Sequence, residues 1–92
     1  MSQTCRADAE ITNKLGLHAR ASAKLTKLAS EFDSDVWLSK GTRRVNAKSI
    51  MGVMMLAAGQ GTRLVLEAEG ADAQQALAAI DALVRDKFGE GE

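Results

Sequence analysis

The amino-acid sequence predicts an α+β open-faced sandwich, a four-stranded antiparallel sheet with three helices on one face, in the order β-α-β-β-α-β-α. Two observations carry this prediction. The segments that alternate in polarity are apolar on one side only, as in an antiparallel sheet with one face towards water. The segments between and after them repeat their apolar residues at helical spacing. The chain of 92 residues is long enough for one domain, so residues 1–92 are taken as a single unit.

A change of period predicts the first strand and the first helix. Residues 4–11 alternate between apolar and polar side chains, which indicates a half-buried strand. Its apolar face is formed by Cys5, Ala7, Ala9 and Ile11. Residues 13–17 have loop chemistry, and from about Ala19 the spacing becomes helical. The apolar side of this helix is formed by Ala21, Leu25, Leu28, Ala29 and Phe32.

A hairpin and a short helix are expected next. Val36 and Leu38 share one face of a short strand, and residues 40–42 are typical of a turn into a second strand around residues 43–45. A short helix is predicted to begin near Ser49. We expect its inward side to consist of Ile50, Val53, Met54 and Ala57. Met51 and Met55 are expected nearer the surface.

The last strand and the last helix have the clearest patterns. Residues 58–61 break the chain, and residues 63–69 alternate again, with Leu64, Leu66 and Ala68 predicted to face inward. Asp72 and Gln75 have the spacing of a helix N-cap and its partner three residues later. The helix they open is expected to close near Gly89. Its apolar stripe is formed by Ala73, Ala76, Leu77, Ile80 and Val84.

Composition excludes several classes of function. Twelve basic and twelve acidic residues cancel, so no net field attracts nucleic acid or an anionic membrane. No apolar run approaches the roughly 20 residues that span a bilayer, and the first residues lack the layout of a secretory signal. The single cysteine, Cys5, fits a reducing cytoplasm and is expected to be a small buried residue. We expect no cofactor and no metal, because Cys5 and His18 alone do not complete a ligand set.

The one histidine, His18, lies where the first loop meets the first helix. Free amide donors at a helix start bind phosphate, and the helix dipole there is worth about 0.3–1 kcal/mol to an anion. The same field disfavours an imidazolium, which favours a neutral, nucleophilic ring. Arg20 adds a planar cationic fork that suits phosphate oxygens. From position alone, a lone histidine is more often a surface or capping residue, so both interpretations stay open here.

Two motifs resemble a known family. The run Gly16-Leu17-His18-Ala19-Arg20 resembles the active-site motif of the histidine-containing phosphocarriers, HPr and its nitrogen-branch relatives. Residues 45–53, with the sequence VNAKSIMGV, resemble the regulatory-serine segment of the same family at the expected distance downstream. The resemblance covers about residues 5–88, so two motifs occur in order on a matching series of elements.

The resemblance implies specific roles. Enzyme I, charged by phosphoenolpyruvate, would phosphorylate Nδ1 of His18, and the carrier would pass the group to an EIIA-type domain. Arg20 would help to hold the phosphate. A kinase/phosphorylase would phosphorylate Ser49, although a serine at that position also fits an ordinary helix cap. The chain would be a carrier in a relay, not an enzyme, in the bacterial cytoplasm, and a monomer.

In the family, the first two helices frame the surface on which partners dock. The expected apolar contacts here are Leu17, Ile50 and Met51. The cations expected to ring them are Arg20, Lys24, Lys27 and Lys48. Such a basic rim would steer acidic partners, although the same lysines also fit a solvated helix face.

One position departs from the family pattern, and several alternatives stay open. Ala21 stands where the family usually has proline, which is expected to loosen the first turn of the helix. Trp37 is out of phase with the inward-facing residues Val36 and Leu38, and the sequence predicts no functional role for it. A ferredoxin-like binding domain without phosphate chemistry and a purely serine-phosphorylated regulator are the competing functions. A hydrolase is disfavoured because no second histidine exists. The sequence leaves the sugar and nitrogen branches unseparated.

Overall fold

The structure, a computed structural model, describes residues 3–92 and confirms the predicted fold class. Its elements are β1 (Gln3–Glu10), α1 (Ala19–Ala29), β2 (Asp35–Lys40), β3 (Arg43–Asn46), α2 (Ile50–Met55), β4 (Arg63–Gly70) and α3 (Ala73–Arg85), followed by a short 3₁₀ turn (Lys87–Gly89). The strands form one antiparallel sheet in the order β1-β4-β2-β3. The helices lie as the amphipathic patterns require, with α3 against β1 and β4 and α1 against α2.

The core follows the predicted one-sided strands. The inward residues of the two central strands, Val36, Leu38, Leu64, Leu66 and Ala68, are buried. The whole predicted stripe of α3 is buried on the other side of the core. Each fully buried Val, Leu or Ile contributes about 1.5–3 kcal/mol of hydrophobic stabilisation. Cys5 is only half-buried, so the expectation of a buried cysteine is met in part.

The open face of the sheet gives Trp37 a neighbour. Its ring lies under the guanidinium of Arg44, with 4.2 Å between the guanidinium carbon and the ring centroid. The Nε atom of Arg44 also lies 3.5 Å from Glu67 on β4. A cation–π contact of this kind is worth about 0.5–1 kcal/mol at an exposed site. The contacts of Arg44 thus join the edge strand β3 to Trp37 on β2 and to Glu67 on β4.

The predicted inward side of α2 is largely wrong. Val53 is buried, but Ile50 and Met54 are 40% and 42% exposed. Ala57 lies beyond the helix with φ of 51°, and Leu56 and Ala58 occupy the core instead. The reason is length: α2 has six residues, fewer than two turns, and the single buried residue Val53 anchors it to the core. Met51 and Met55 are exposed as predicted.

Asp72 takes the predicted N-cap position of α3, but the predicted capping box is not formed. Asp72 precedes the helix, but its side chain makes no capping bond to it. Its carboxylate instead accepts the N–H groups of Asp33 and Ser34, at 3.0 and 2.9 Å, and the hydroxyl of Ser34. The hydrogen bond from the Ser34 side chain, and then that from the Asp33 N–H, lowers the pKa of Asp72. The carboxylate therefore stabilises the connection from α1 to β2.

The last helix ends earlier than predicted, at Arg85. Residues 86–92 continue outside α3 and contain the short 3₁₀ turn. Lys87 and Phe88 both have φ of 55°, a left-handed conformation that is unfavourable for residues other than glycine. Phe88 is fully buried and fixes this path. Below, residues 86–92 are called the closing segment.

Candidate functional site

His18 occupies the N-cap position of α1, with φ of −72° and ψ of 178°. Its carbonyl accepts the N–H of Ser22 at 2.8 Å, and its side chain makes no capping bond. The first N–H groups of a helix have no partner within the helix, so they are available at this end. The imidazole is 28% exposed. The structure therefore places the ring beside an open helix start, as predicted.

The loop before His18 depends on one glycine. Gly16 has φ of +65°, and a Cβ on it would lie 2.4 Å from the carbonyl oxygen of Ala58. That same oxygen accepts the N–H of Leu17 at 2.8 Å. Close backbone contact between the loop and residues 58–59 thus sets the position of the residue next to His18, and only glycine permits it.

The histidine has a partner that the sequence motifs do not predict. Nε2 of His18 contacts the carboxylate of Glu90 in the closing segment. The amide of Asn13 donates to Oε1 of Glu90 at 2.9 Å and to the Gly16 carbonyl at 2.8 Å. The hydrogen bond from Asn13, followed by the one from His18, lowers the pKa of Glu90. Three side chains, two of them unpredicted, therefore form one network.

The closing segment is held against α1 by further contacts. The ammonium of Lys24 donates to the carbonyl of Phe88 at 2.7 Å, and the N–H of Lys14 donates to the carbonyl of Glu92 at 3.0 Å. Arg20 is exposed and lines, with His18 and Lys24, a pocket of about 630 Å³. An imidazole, a helix start and cationic side chains at one pocket suit a phosphoryl group.

The predicted docking residues divide into two groups. Leu17 is only 6% exposed, so its prediction as an apolar docking contact is wrong; its side chain belongs to the hydrophobic core. Leu15, not predicted, is 66% exposed on the same loop. Ile50 and Met51 are exposed, and the surface that we call the apolar patch consists of the exposed α2 residues Ile50, Met51, Met54 and Met55.

The predicted cations also differ in environment. Lys27 is exposed in the last turn of α1, as a rim residue would be. Lys48 is half-buried, and its ammonium donates to the carbonyl of Phe32 at 2.8 Å. Lys48 therefore stabilises the end of the α1–β2 connection in addition to any role towards a partner.

Ser49 is the N-cap of α2. Its hydroxyl accepts the N–H of Gly52 at 3.2 Å, and its φ and ψ of −108° and 112° are those of a capping residue. It immediately precedes Ile50 and Met51 of the apolar patch. The ordinary capping role is thus present, next to a surface suited to a partner.

Within residues 3–92, no group of three or more His, Cys, Asp or Glu side chains could hold a metal ion. No helix in that range is long and apolar enough to cross a membrane. The fold and the site define a class of small α+β domains that present one imidazole at the amino end of a helix, beside the cationic side chains of arginine and lysine.

The comparisons with known proteins name the family. The family model described as "PTS HPr component phosphorylation site" matches residues 5–86. The chain therefore belongs to the HPr/NPr family, the phosphocarriers of the bacterial phosphotransferase system. Members of this family carry phosphoryl groups in a phosphotransferase relay and are not catalytic enzymes.

Relatives agree along nearly the whole chain. The phosphocarrier protein HPr of Cupriavidus necator is 61% identical over 85 residues, which cover 92% of this chain and 96% of the relative. The phosphocarrier protein NPr of Shewanella violacea is 50% identical over 80 residues, covering 87% and 88%. The crystal structure of HPr-C-His from Thermoanaerobacter tengcongensis matches with a TM-score of 0.91 and 46% identity, covering 94% of this chain and 97% of that one.

Proposed function

We propose that this phosphocarrier accepts a phosphoryl group on Nδ1 of His18 from enzyme I, charged by phosphoenolpyruvate, and passes it to EIIA-type domains. One observation carries the proposal: the imidazole stands at the open start of α1 with Nε2 engaged by Glu90. Within residues 3–92, Nδ1 has no hydrogen-bond partner. A neutral ring in this position offers one nitrogen as a nucleophile.

The transfer itself needs little from the protein beyond position and charge. The lone pair on Nδ1 attacks phosphorus, and the bond from phosphorus to the donor breaks with its electron pair left on the donor. The amide donors at the start of α1 and the guanidinium of Arg20 stabilise the phosphoryl oxygens. Arg20 is exposed and has no ion-pair partner among residues 3–92, so its planar fork is available for this role.

The docking surface we infer for enzyme I and for EIIA-type domains is the apolar patch with Arg20, Lys24 and Lys27 beside it. Several large exposed apolar side chains on one short helix are typical of an interaction site. Exposed methionines adapt to differently shaped partners, which suits a carrier that binds a donor and an acceptor in turn. The cations favour partners with acidic surfaces. In this proposal the carrier acts as a monomer in the cytoplasm.

A labelling experiment tests the acceptor step. With enzyme I and phosphoenolpyruvate, the intact chain should gain one phosphoryl group that is labile in acid and stable in base, as judged by its mass. His18→Gln should remain folded by circular dichroism and gain none. A His18→Gln variant that is labelled like the wild type would overturn the proposal.

We further propose that Ser49 is a regulatory phosphorylation site for an HPr kinase/phosphorylase. A phosphate there adds about −1.5 to −2 charges at the start of α2, which the helix dipole tolerates. The same charge lies next to the exposed residues Ile50 and Met51, where an acidic partner would dock. Modification should therefore weaken docking and leave the fold intact.

Ser49→Asp is the variant that checks this. Aspartate is also a good N-cap, so the thermal stability should change little. The added negative charge should raise the KM of enzyme I for the carrier about tenfold, which is equivalent to about 1.4 kcal/mol of repulsion. Ser49→Ala is the matched control: it loses the cap at a cost of about 0.5–2 kcal/mol in stability but should keep the wild-type KM. Equal KM values for all three proteins would leave Ser49 as a helix cap only.

A further inference from the structure

We propose that Glu90 is a positioning residue for His18: its carboxylate accepts the Nε2–H of the imidazole and so leaves the lone pair on Nδ1. Asn13 fixes the carboxylate in turn. The inference rests on the proposed acceptance of a phosphoryl group at His18, but it concerns a residue that neither motif of the family resemblance contains.

Each oxygen of the Glu90 carboxylate has its own donor. Oε1 accepts from the Asn13 amide at 2.9 Å, and Oε2 contacts Nε2 of His18. Asn13 is fully buried, and the same amide nitrogen donates to the Gly16 carbonyl at 2.8 Å. Because Asn13 cannot turn without losing both acceptors, it ties the carboxylate to the loop that precedes His18.

The chemistry of the imidazole then follows. A neutral ring has one nitrogen that donates and one that accepts, and an ionised carboxylate only accepts. Nε2 must therefore carry the proton while it faces Glu90, and Nδ1 carries the lone pair. As the Nδ1–phosphorus bond forms and the bond to the donor breaks, positive charge develops on the ring and the carboxylate stabilises it. No proton has to move, and the leaving group keeps its electron pair.

The course of the closing segment supports a role for Glu90. Phe88 is fully buried, Lys24 binds its carbonyl, and Lys14 binds the carbonyl of Glu92. Lys87 and Phe88 keep left-handed conformations that persist only where surrounding contacts determine them. These contacts flank Glu90 on both sides and hold it against the imidazole.

The nitrogen chemical shifts of the His18 ring, measured in ¹⁵N-labelled protein with a neutral ring, test the proposal. The wild type should show mainly the Nε2–H form. In Glu90→Gln, the amide of Asn13 remains fixed and selects the carbonyl of the new glutamine, so its NH₂ group faces Nε2. We expect the ring to change to the Nδ1–H form, and the kcat of phosphorylation by enzyme I to fall about tenfold or more with little change in KM.

Glu69→Gln is the matched control, because it removes the same charge from an exposed carboxylate on β4 that lies outside the pocket of His18. It should keep the Nε2–H form and the wild-type kcat. Unchanged ring shifts in Glu90→Gln, or an equal loss of kcat in the two variants, would overturn the proposal. The ring shifts require no phosphoryl donor, so they decide the role of Glu90 even if the wild type accepts no phosphoryl group and the proposed function fails.

Discussion

Phe88→Ala is expected to lower the free energy of unfolding by about 3–5 kcal/mol, the usual cost of removing a fully buried phenylalanine. Phe88 is 0% exposed and belongs to the closing segment, not to a regular helix or strand. Its ring is therefore both a core residue and the anchor of the path that leads to Glu90. Without it, two left-handed residues lose the packing that maintains them.

Urea unfolding followed by tryptophan fluorescence measures the stability loss, and the His18 ring shifts report whether Glu90 is released. Phe88→Leu is the control, because leucine keeps part of the apolar volume and should cost less. The expected order of stability is wild type, then leucine, then alanine. An alanine variant with near wild-type stability would contradict the burial of this ring.

Gly16→Ala is expected to cost about 2–5 kcal/mol, the sum of two effects. A left-handed conformation costs a residue with a Cβ about 1–2 kcal/mol, and forced overpacking costs about 1–3 kcal/mol. Both apply, because φ is +65° and the new Cβ would lie 2.4 Å from the Ala58 oxygen and 2.7 Å from the Gly59 Cα. The obstacles are backbone atoms, so the loop has to move, and Leu17 beside His18 moves with it.

Gly41→Ala separates the two effects. Gly41 has a similar φ of +59°, but nothing lies within 4 Å of the added Cβ. We expect it to cost only about 1–2 kcal/mol and to leave phosphorylation unchanged. Equal losses in the two variants, measured by urea unfolding, would mean that the contact between Gly16 and Ala58 does not constrain the loop.

The elements that the sequence predicted well are those with a repeated period. β4 has eight residues and α3 has thirteen, so the apolar pattern repeats several times in each. The predicted inward faces of both elements are confirmed. The six residues of α2 give fewer than two turns, and Ile50 and Met54 were wrongly placed in the core. Asp72 had the right position for a cap, but the amides of Asp33 and Ser34 compete for its carboxylate.

The site was predictable where it is local in sequence. His18 and Arg20 lie within three residues of each other, and the helix start between them follows from the change of period. Glu90 was not predictable, because it reaches His18 across 72 positions by way of two left-handed residues. Gly89 and Gly91 on either side of it have positive φ, but the presence of two glycines in a sequence does not give the direction of the chain.

The relay itself is the most direct test of the account. A trace amount of the chain is mixed with excess enzyme I, radiolabelled phosphoenolpyruvate and an EIIA-type domain, and the label on each protein is followed over time. We predict that each molecule of the wild-type chain labels many molecules of the EIIA-type domain. With His18→Gln, almost no molecules of the acceptor become labelled. Label that stays on enzyme I in the presence of the folded wild-type chain, or that reaches the acceptor equally well through His18→Gln, would contradict the account.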